Sequence, residues 1–265
     1  MRRGLLRALH LVLMGALFLS FLQTSCVLAE EALDDEQSEL SRMIQGLTGF
    51  YYEDDAIQMT IQKRCDLADA AMEEPVVPST KLKKYKYLYV GASRTNRIRK
   101  SVRDSKTYFE AAPGAGSRWF GMERDGKQAC LLTIRSYLDA RPDGNVIIEL
   151  GNNDVCNMDV YMHVYKRLIE AYPNAKIWFL DVLPGSGSSV DGEKKNQYRQ
   201  IFNDRLHQEF PDRCLGGYSY ILQNSKFKTK DGTHYPTCVA RKFYKYVMKK
   251  LGRNIRYQGM NVVDG

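Results

Sequence analysis

Apolar runs and amphipathic stretches alternate along the chain from residue 81 onward. The runs rich in β-branched and aromatic residues, which are typical of strands, are YKYLYVGA (85–92), NVIIELG (145–151) and AKIWFLDVL (175–183), with weaker ones at TYFEAA (107–112) and GYSYIL (217–222). The helical patterns are QACLLTIRSYLDA (128–140), MDVYMHVYKRLIEAY (158–172), EKKNQYRQIFNDRLHQEF (193–210) and PTCVARKFYKYVMKKLG (236–252). Strands that alternate with helices form a parallel sheet covered on both faces. We therefore predict a three-layer α/β/α domain over residues 81–265.

The segment before this domain, residues 30–80, has a different composition. It is acidic, and helical patterns can be drawn at about 36–47 and about 54–71. The following MEEPVVPST has two prolines and no apolar period, which is typical of a linker. We interpret the segment as a helical extension that either packs on the main domain or leads out from the membrane.

Residues 1–29 have the organisation of a secretory signal peptide. They contain three arginines, no acidic residue and an apolar stretch of about a dozen residues, and Val27 and Ala29 fit a small-residue cleavage site. This apolar stretch is shorter than the roughly 20 residues that a membrane-spanning helix needs. An uncleaved N-terminal anchor is the alternative. A lipid anchor on Cys26 is disfavoured because Gln23 stands where bacterial lipoproteins usually have Leu. We expect cleavage after Ala29 and a secreted or cell-surface protein, with membrane contact only through the signal or anchor.

The net charge of +8 does not indicate a nucleic-acid partner. Loss of the three signal arginines would lower it to +5, and the surplus is scattered, since KLKKYKY is basic whereas EEALDDEQSE is acidic. Neither an Arg/Lys-rich arm nor a nucleic-acid-binding motif accompanies the charge. We therefore expect no binding to nucleic acid.

Candidate chemical groups follow three of the predicted strands. Ser93, Gly151 and Asp181 each stand at the end of an apolar run, and ligands bind at the carboxyl ends of the strands in sheets of this kind. Asn153, in ELGNNDV, offers a side-chain amide to an oxyanion, and the glycines of AAPGAGSRWF would let a backbone N–H approach the same point. The G-x-S-x-G elbow of α/β-hydrolases is absent, because Thr95 stands at its second glycine.

His234 is the best candidate for a general base. His163 and His207 lie within amphipathic helical patterns, where a surface or half-buried histidine is the common case, whereas His234 lies in the loop KDGTHYPT. A turn would bring the carboxylate of Asp231, three residues upstream, to the imidazole. The alternative is that Asp-Gly only marks a turn. Ser93, likewise, is either a nucleophile or the hydroxyl that caps the next helix.

Five of the six cysteines follow the predicted signal: Cys65, Cys130, Cys156, Cys214 and Cys238. One or two disulfides are plausible outside the cytoplasm, and the odd number leaves at least one thiol. A bridge between Cys214 and Cys238, which flank the segment containing His234, is one hypothesis among all open pairings. No CxxC motif occurs and histidine is rare, so we expect no Cys/His zinc site and no metal or cofactor.

Four short motifs occur in the order of the SGNH (GDSL-type) hydrolase superfamily, which the chain resembles. They are VGASRT with Ser93, PGAGSRWF with its glycines, LGNND with Asn153 and DGTHYP with His234. The resemblance covers about residues 84–251 and is strongest to exported SGNH-like proteins of Gram-positive bacteria, with G-D-S-R-T and G-x-G-x-x-W-F as their first two blocks. It implies a three-layer fold with a flavodoxin-like parallel sheet.

The resemblance also implies catalytic roles. Ser93 would be the nucleophile, and His234 would be the general base and then the general acid, oriented by Asp231. The family usually has Asp where this chain has Ala92, which raises a question about rate or substrate more than about mechanism.

Three donors to an oxyanion are implied in the same way. Ser93 would give its own backbone N–H, Gly114 a second one, and Asn153 its side-chain amide. Gly116 is the alternative to Gly114 as the source of the second N–H.

The activity implied is that of an exported serine esterase that forms an acyl-enzyme and removes small acyl groups, such as acetyl, from cell-wall or environmental polysaccharide. The aromatic residues Trp119, Phe120, Tyr218 and Tyr235 either stack on sugars or belong to the core, which is the commoner case. An O-acyltransferase would use the same catalytic residues. A non-catalytic SGNH-fold module that binds a glycan or a partner is the alternative from a different class.

Overall fold

The computed structural model describes residues 61–186, 190–223, 229 and 231–265. The predicted signal peptide, the helical pattern at 36–47 and the start of the pattern at 54–71 lie outside these residues and remain predictions. Among the helices of the described ranges, none combines the length and the apolar character needed to cross a bilayer.

A five-stranded parallel sheet forms the middle layer, in the order β2-β1-β3-β4-β5. The strands are β1 (Tyr87–Gly91), β2 (Thr107–Ala111), β3 (Asn145–Glu149), β4 (Lys176–Leu180) and β5 (Cys214–Gly216). β1 lies between β2 and β3 and is buried along its whole length, which explains its continuous apolar run. The strand order confirms the prediction of a flavodoxin-like sheet in a three-layer α/β/α fold.

Helices cover both faces of this sheet. They are α1 (Ile61–Glu73), α2 (Thr80–Lys83), α3 (Ser93–Ser101), α4 (Cys130–Ala140), α5 (Met158–Ala171), α6 (Val190–Glu209), α7 (Tyr218–Gln223) and α8 (Thr237–Lys250). Single 3₁₀ turns occur at Ser117–Phe120, Val155–Asn157 and Pro211–Arg213. After α8, a hairpin that the apolar pattern did not predict pairs β6 (Ile255–Gln258) with β7 (Asn261–Asp264).

Alternate residues of β1 face two different apolar layers. Leu88 and Val90 belong to the layer that α1, α4, α5 and α6 cover. Tyr87 and Tyr89 belong to the layer that α3, α8 and the hairpin cover. Because both faces of the strand are packed, its carboxyl end, where the loop to Ser93 begins, is held in place from both sides.

The weak strand predicted at GYSYIL is wrong. Its residues form helix α7, and the strand is the short β5 just before it. Gly216 and Gly217 have φ of 71° and 137°, a left-handed backbone that glycine adopts readily, so the chain leaves the extended conformation there. The backbone N–H of Tyr218 then donates to the Asp181 carboxylate at 2.9 Å, which gives a partner to one of the donors in the first helical turn.

The described part of the N-terminal extension packs on the main domain. Cys65, Ala68 and Ala71 of α1 are buried in the same core cluster as the sheet. The chain after α1 contacts α4, because the backbone N–H of Ser79 donates to the Ser136 carbonyl oxygen at 2.9 Å. Helix α1 is therefore part of the same packed core as the sheet.

Candidate active site

Ser93 begins helix α3 directly after β1. The turn between them requires Gly91, because a Cβ there would lie 2.0 Å from Thr95 Oγ1. The N-cap position is Ala92, which makes no side-chain cap bond, so Ser93 is not the hydroxyl that caps the helix. Its Oγ lies 2.8 Å from Nε2 of His234.

His234 lies between this hydroxyl and a carboxylate. Its Nδ1 is 2.7 Å from Asp231 Oδ2, while Asp231 Oδ1 accepts backbone N–H bonds from His234 at 2.7 Å and Thr233 at 3.0 Å. The bond from the His234 backbone N–H is the main reason why the pKa of Asp231 lies well below its ordinary value. An ionised carboxylate only accepts hydrogen bonds, which favours the tautomer of the neutral imidazole that has its proton on Nδ1 and presents the Nε2 lone pair to Ser93.

Arg94 is a site residue that the sequence reasoning missed. Its buried guanidinium donates to the carbonyl oxygens of Leu183 at 2.8 Å and Thr233 at 3.1 Å, and it lies over the ring of Tyr235. Burial lowers the pKa of Arg94. The residue after Ser93 thus holds the loop that carries His234, and its only signal in the sequence was the Arg of the G-D-S-R-T block.

The Gly114 loop, residues 112–116, and Asn153 come from the strands on either side of β1. β2 ends at Ala111 and β3 ends at Glu149, so both connections start next to the end of β1. Gly114 has a left-handed backbone with φ of 72°. Asn153 Nδ2 donates to the carbonyl oxygen of Ala115 at 2.7 Å, which joins the two connections. An amide nitrogen carries two hydrogens, so this bond leaves one for a second acceptor.

The order of these groups on the sheet decides the type of fold. Ser93 follows β1, Gly114 follows β2, Asn153 follows β3, and Asp231 and His234 precede the last long helix. The chain has an SGNH-like fold, with the four motifs placed on the sheet in the order that the resemblance implied.

The chain is similar to several solved structures, among them an acetyl xylan esterase, which is 17% identical over 63% of this chain and 98% of that chain, with a TM-score of 0.43. The catalytic domain of peptidoglycan O-acetyltransferase A from Streptococcus pneumoniae is 12% identical over 63% and 90%, with a TM-score of 0.44. The esterase EstA from Pseudoalteromonas sp. is 16% identical over 63% and 99%, with a TM-score of 0.41. No family model and no curated protein matches the chain.

Asp154, the last residue of the LGNND motif, holds the far end of the Gly114 loop. Its mostly buried carboxylate accepts from the backbone N–H of Ser117 at 2.7 Å, from Ser117 Oγ at 2.6 Å and from the Tyr161 hydroxyl at 2.5 Å. Burial raises the pKa of Asp154. The carboxylate lies so close to Gly116 that a Cβ there would be 2.6 Å from it. This approach explains the glycine at 116, whereas the left-handed backbone explains the glycine at 114.

A buried carboxylate lies beside the turn that carries Ala92 and Ser93. Glu149 at the end of β3 lines the same small cavity as Ala92 and Ser93. Its Oε2 accepts from Thr95 Oγ1 at 2.7 Å and from the Tyr89 hydroxyl at 3.1 Å. Burial raises the pKa of Glu149. Within the described residues, no cluster of His, Cys, Asp and Glu could hold a metal ion.

The four candidate sugar-stacking aromatics belong to the core. Trp119, Phe120, Tyr218 and Tyr235 are all buried. The Trp119 indole N–H, for example, donates to the carbonyl oxygen of Gln128 at 3.1 Å. These rings therefore pack the domain and present no face to a sugar.

The hypothesis of a Cys214–Cys238 bridge is wrong. The described cysteines are all free thiols. Cys214 Sγ donates to the carbonyl oxygen of Phe210 at 3.2 Å, which turns it toward the end of α6, whereas Cys238 is exposed at the start of α8. His163 and His207, in turn, lie on helices and pair with the carboxylates of Asp69 and Asp181 rather than with Ser93.

Proposed function

We propose that the protein is an exported serine ester hydrolase that works through an acyl-enzyme. The observation that carries this proposal is the hydrogen-bonded series Ser93–His234–Asp231, with 2.8 Å between Oγ and Nε2 and 2.7 Å between Nδ1 and Oδ2. At these distances an imidazole can take the hydroxyl proton as the oxygen attacks. The predicted signal peptide supports the export.

The acylation step uses each member of the series. Ser93 Oγ attacks the ester carbonyl carbon while His234 Nε2 takes its proton, and the Asp231 carboxylate stabilises the imidazolium. The backbone N–H groups of Ser93 and Gly114 and the Asn153 amide donate to the oxygen of the tetrahedral intermediate. Collapse breaks the ester C–O bond, and the imidazolium gives its proton to the departing alcohol.

Deacylation reuses the same base. His234 takes a proton from a water molecule, which attacks the acyl-enzyme carbonyl carbon. The second tetrahedral intermediate releases the carboxylic acid, and the proton on His234 returns to Ser93 Oγ. The free enzyme is restored without a cofactor.

We assign an acylated carbohydrate, with acetyl as the acyl group, as the substrate class. The support is the resemblance of the four motifs to exported SGNH-like proteins and the predicted export of this chain. The measurement is release of acetate from acetylated polysaccharide. If the acetyl group passes to a glycan hydroxyl instead of water, the protein is an O-acyltransferase with the same acyl-enzyme.

A fluorophosphonate probe tests the reaction class without knowledge of the substrate. We expect it to label the folded protein at Ser93 and to leave Ser93→Ala unlabelled, because phosphonylation needs the same activated hydroxyl. Ser219→Ala, which removes an exposed hydroxyl on α7, is the control and should label like the wild type. A folded wild type that resists the probe would indicate the alternative, a glycan- or partner-binding module.

A further inference from the structure

Arg64 of helix α1 contacts the residue that follows the Gly114 loop. Its Nη1 donates to Ser117 Oγ at 3.0 Å and lies 3.6 Å from Asp154 Oδ2. Both charged side chains are mostly buried, with 16% of each exposed. Helix α1 supplies none of the catalytic groups named above. The contact of the mostly buried Arg64 with Ser117 and Asp154 therefore serves a purpose other than direct catalysis.

Ser117 and Asp154 connect the two proposed oxyanion donors outside Ser93. Ser117 donates to Asp154 Oδ2 through both its backbone N–H and its hydroxyl. Ser117 follows Gly114 by three residues, and Asp154 directly follows Asn153. A movement of this junction would displace both donors, and a misplacement of about 1 Å can cost about 10²-fold in rate.

Helix α1 is seated directly on the backbone of this region. A Cβ on Gly121, the C-cap of the 3₁₀ helix that Ser117 begins, would lie 2.3 Å from the carbonyl oxygen of Leu67. Cys65 and Ala68 lie in the main core. The position of Arg64 relative to Ser117 is therefore fixed by close packing on both sides of the contact.

We propose that Arg64 is a positioning residue for the ester hydrolysis and that α1 braces the Gly114 loop through it. Arg64 acts through Ser117 and Asp154 and does not touch the reacting atoms. Its guanidinium offsets the cost of burying the Asp154 carboxylate, which accepts both bonds from Ser117. The inference rests on the proposed function, because it concerns the same oxyanion site.

The test compares Arg64→Ala with Arg135→Ala in the fluorophosphonate reaction. Arg135 is a matched control, because its Nη1 also fastens α1, by donating to the carbonyl oxygens of Ala71 and Glu74 at 2.6 Å. We expect Arg64→Ala to lower the limiting rate of labelling about 10-fold, with the probe's binding constant unchanged, and Arg135→Ala to change neither. Labelling is measured at a temperature where thermal melts show every variant folded.

Two further variants test the route of the effect. Arg64→Lys keeps a cation for Ser117 Oγ and should restore the rate to within about 3-fold of the wild type. Ser117→Ala removes the hydroxyl but keeps the backbone bond to Asp154. If Arg64 acts through that hydroxyl, Arg64→Ala should lower the rate of Ser117→Ala little further.

Three results would overturn the inference while the proposed function stands. They are an Arg64→Ala protein that labels like the wild type, an equal loss in Arg135→Ala, and fully additive effects of Arg64→Ala and Ser117→Ala. Each would make α1 a helix that only stabilises the fold. A wild-type protein that is not labelled would overturn the proposed function, and this inference with it.

Discussion

The guanidinium of Arg94 donates to the carbonyl oxygen of Thr233, so the residue that follows Ser93 holds the residue that precedes His234. Ser93 and His234, which form the candidate dyad of nucleophile and base, are 141 positions apart in the sequence. A second bond from Arg94, to the carbonyl oxygen of Leu183, joins the loop after β4 to the same two residues. The distance between Ser93 and His234 therefore depends on the buried side chain of Arg94, which contacts neither Ser93 Oγ nor the imidazole in the bonds described.

Replacement of this arginine should impair both stability and reactivity. Arg94→Ala leaves buried carbonyl oxygens without their donor, each at a cost of about 1–3 kcal/mol. We expect the free energy of unfolding in urea to fall by about 3 kcal/mol and Ser93 labelling to slow at least about 10-fold. Arg99→Ala, which removes an exposed arginine of the same helix, should change neither quantity. A stable, fully reactive Arg94→Ala protein would contradict this role.

Asn153 should act mainly in the transition state. If its Nδ2 donates to the oxyanion, Asn153→Ala should lower kcat by roughly 10²–10³ with little change in KM for an ester substrate. Part of the loss would come from the bond to the Ala115 carbonyl oxygen, which holds the Gly114 loop. A loss confined to KM would instead make Asn153 a residue that binds the substrate in its ground state.

Stability should fall at acidic pH through Asp104. Burial acts to raise the pKa of this carboxyl, but hydrogen bonds from Arg253, from the Tyr244 hydroxyl at 2.6 Å and from the Lys106 backbone N–H at 2.9 Å outweigh it and hold the pKa below its ordinary value. The folded protein therefore releases the proton more readily than the unfolded chain does. The stabilisation is complete above the unfolded pKa of about 3.9 and is lost as the pH falls through the lower folded value.

The measurement is the free energy of unfolding in urea at about pH 5 and about pH 3. The difference between the wild type and Asp104→Asn should shrink as the pH is lowered, because protonation removes the same charge from the wild type. Asp212→Asn, at an exposed position, should give a difference that does not change with pH. A constant difference for Asp104→Asn as well would show that the ion pair with Arg253 contributes nothing.

Export should expose a new N-terminus. The basic, apolar and small-residue regions of the first 29 residues predict cleavage after Ala29, so the secreted product should begin at Glu30. N-terminal sequencing of protein from the medium or the cell surface tests this. Exported protein that still begins at Met1 would support the anchor instead.

The candidate dyad and its carboxylate could be found from the sequence because each stands in a short motif beside a recognisable element. Ser93 follows a strand whose apolar run is continuous, and Asp231 and His234 precede a strongly amphipathic helix. Parallel strands buried on both faces leave this pattern, so the three-layer sheet was predicted as well. The strand predicted at GYSYIL was wrong because the aromatic and apolar residues of this segment are typical of a strand, whereas Gly216 and Gly217 turn the backbone so that a helix begins there.

The supporting residues could not be found in the same way. Arginine is usually exposed, and the partners that keep Arg94 and Arg64 buried come from loops and helices brought together only by the complete fold. The role of Asp154 depends on its contact with Ser117, 37 positions away. No spacing rule predicts such contacts, so sequence motifs indicate the reacting groups and only the structure indicates what holds them.

The hydrogen-bonded series Ser93–His234–Asp231 predicts graded losses of Ser93 labelling. His234→Ala removes the base and should nearly abolish the reaction. Asp231→Asn replaces an obligate acceptor by a group that can donate to Nδ1, which favours the wrong tautomer of the imidazole, and should slow labelling by up to about 10⁴-fold. His163→Ala is the matched control, because His163 also pairs with a carboxylate, that of Asp69 at 2.9 Å, on a helix that does not carry Ser93. Rates of labelling and thermal melts of the same samples give the comparison. If Asp231→Asn reacts as fast as His163→Ala, the Asp231 carboxylate does not orient the base, and His234 works without it.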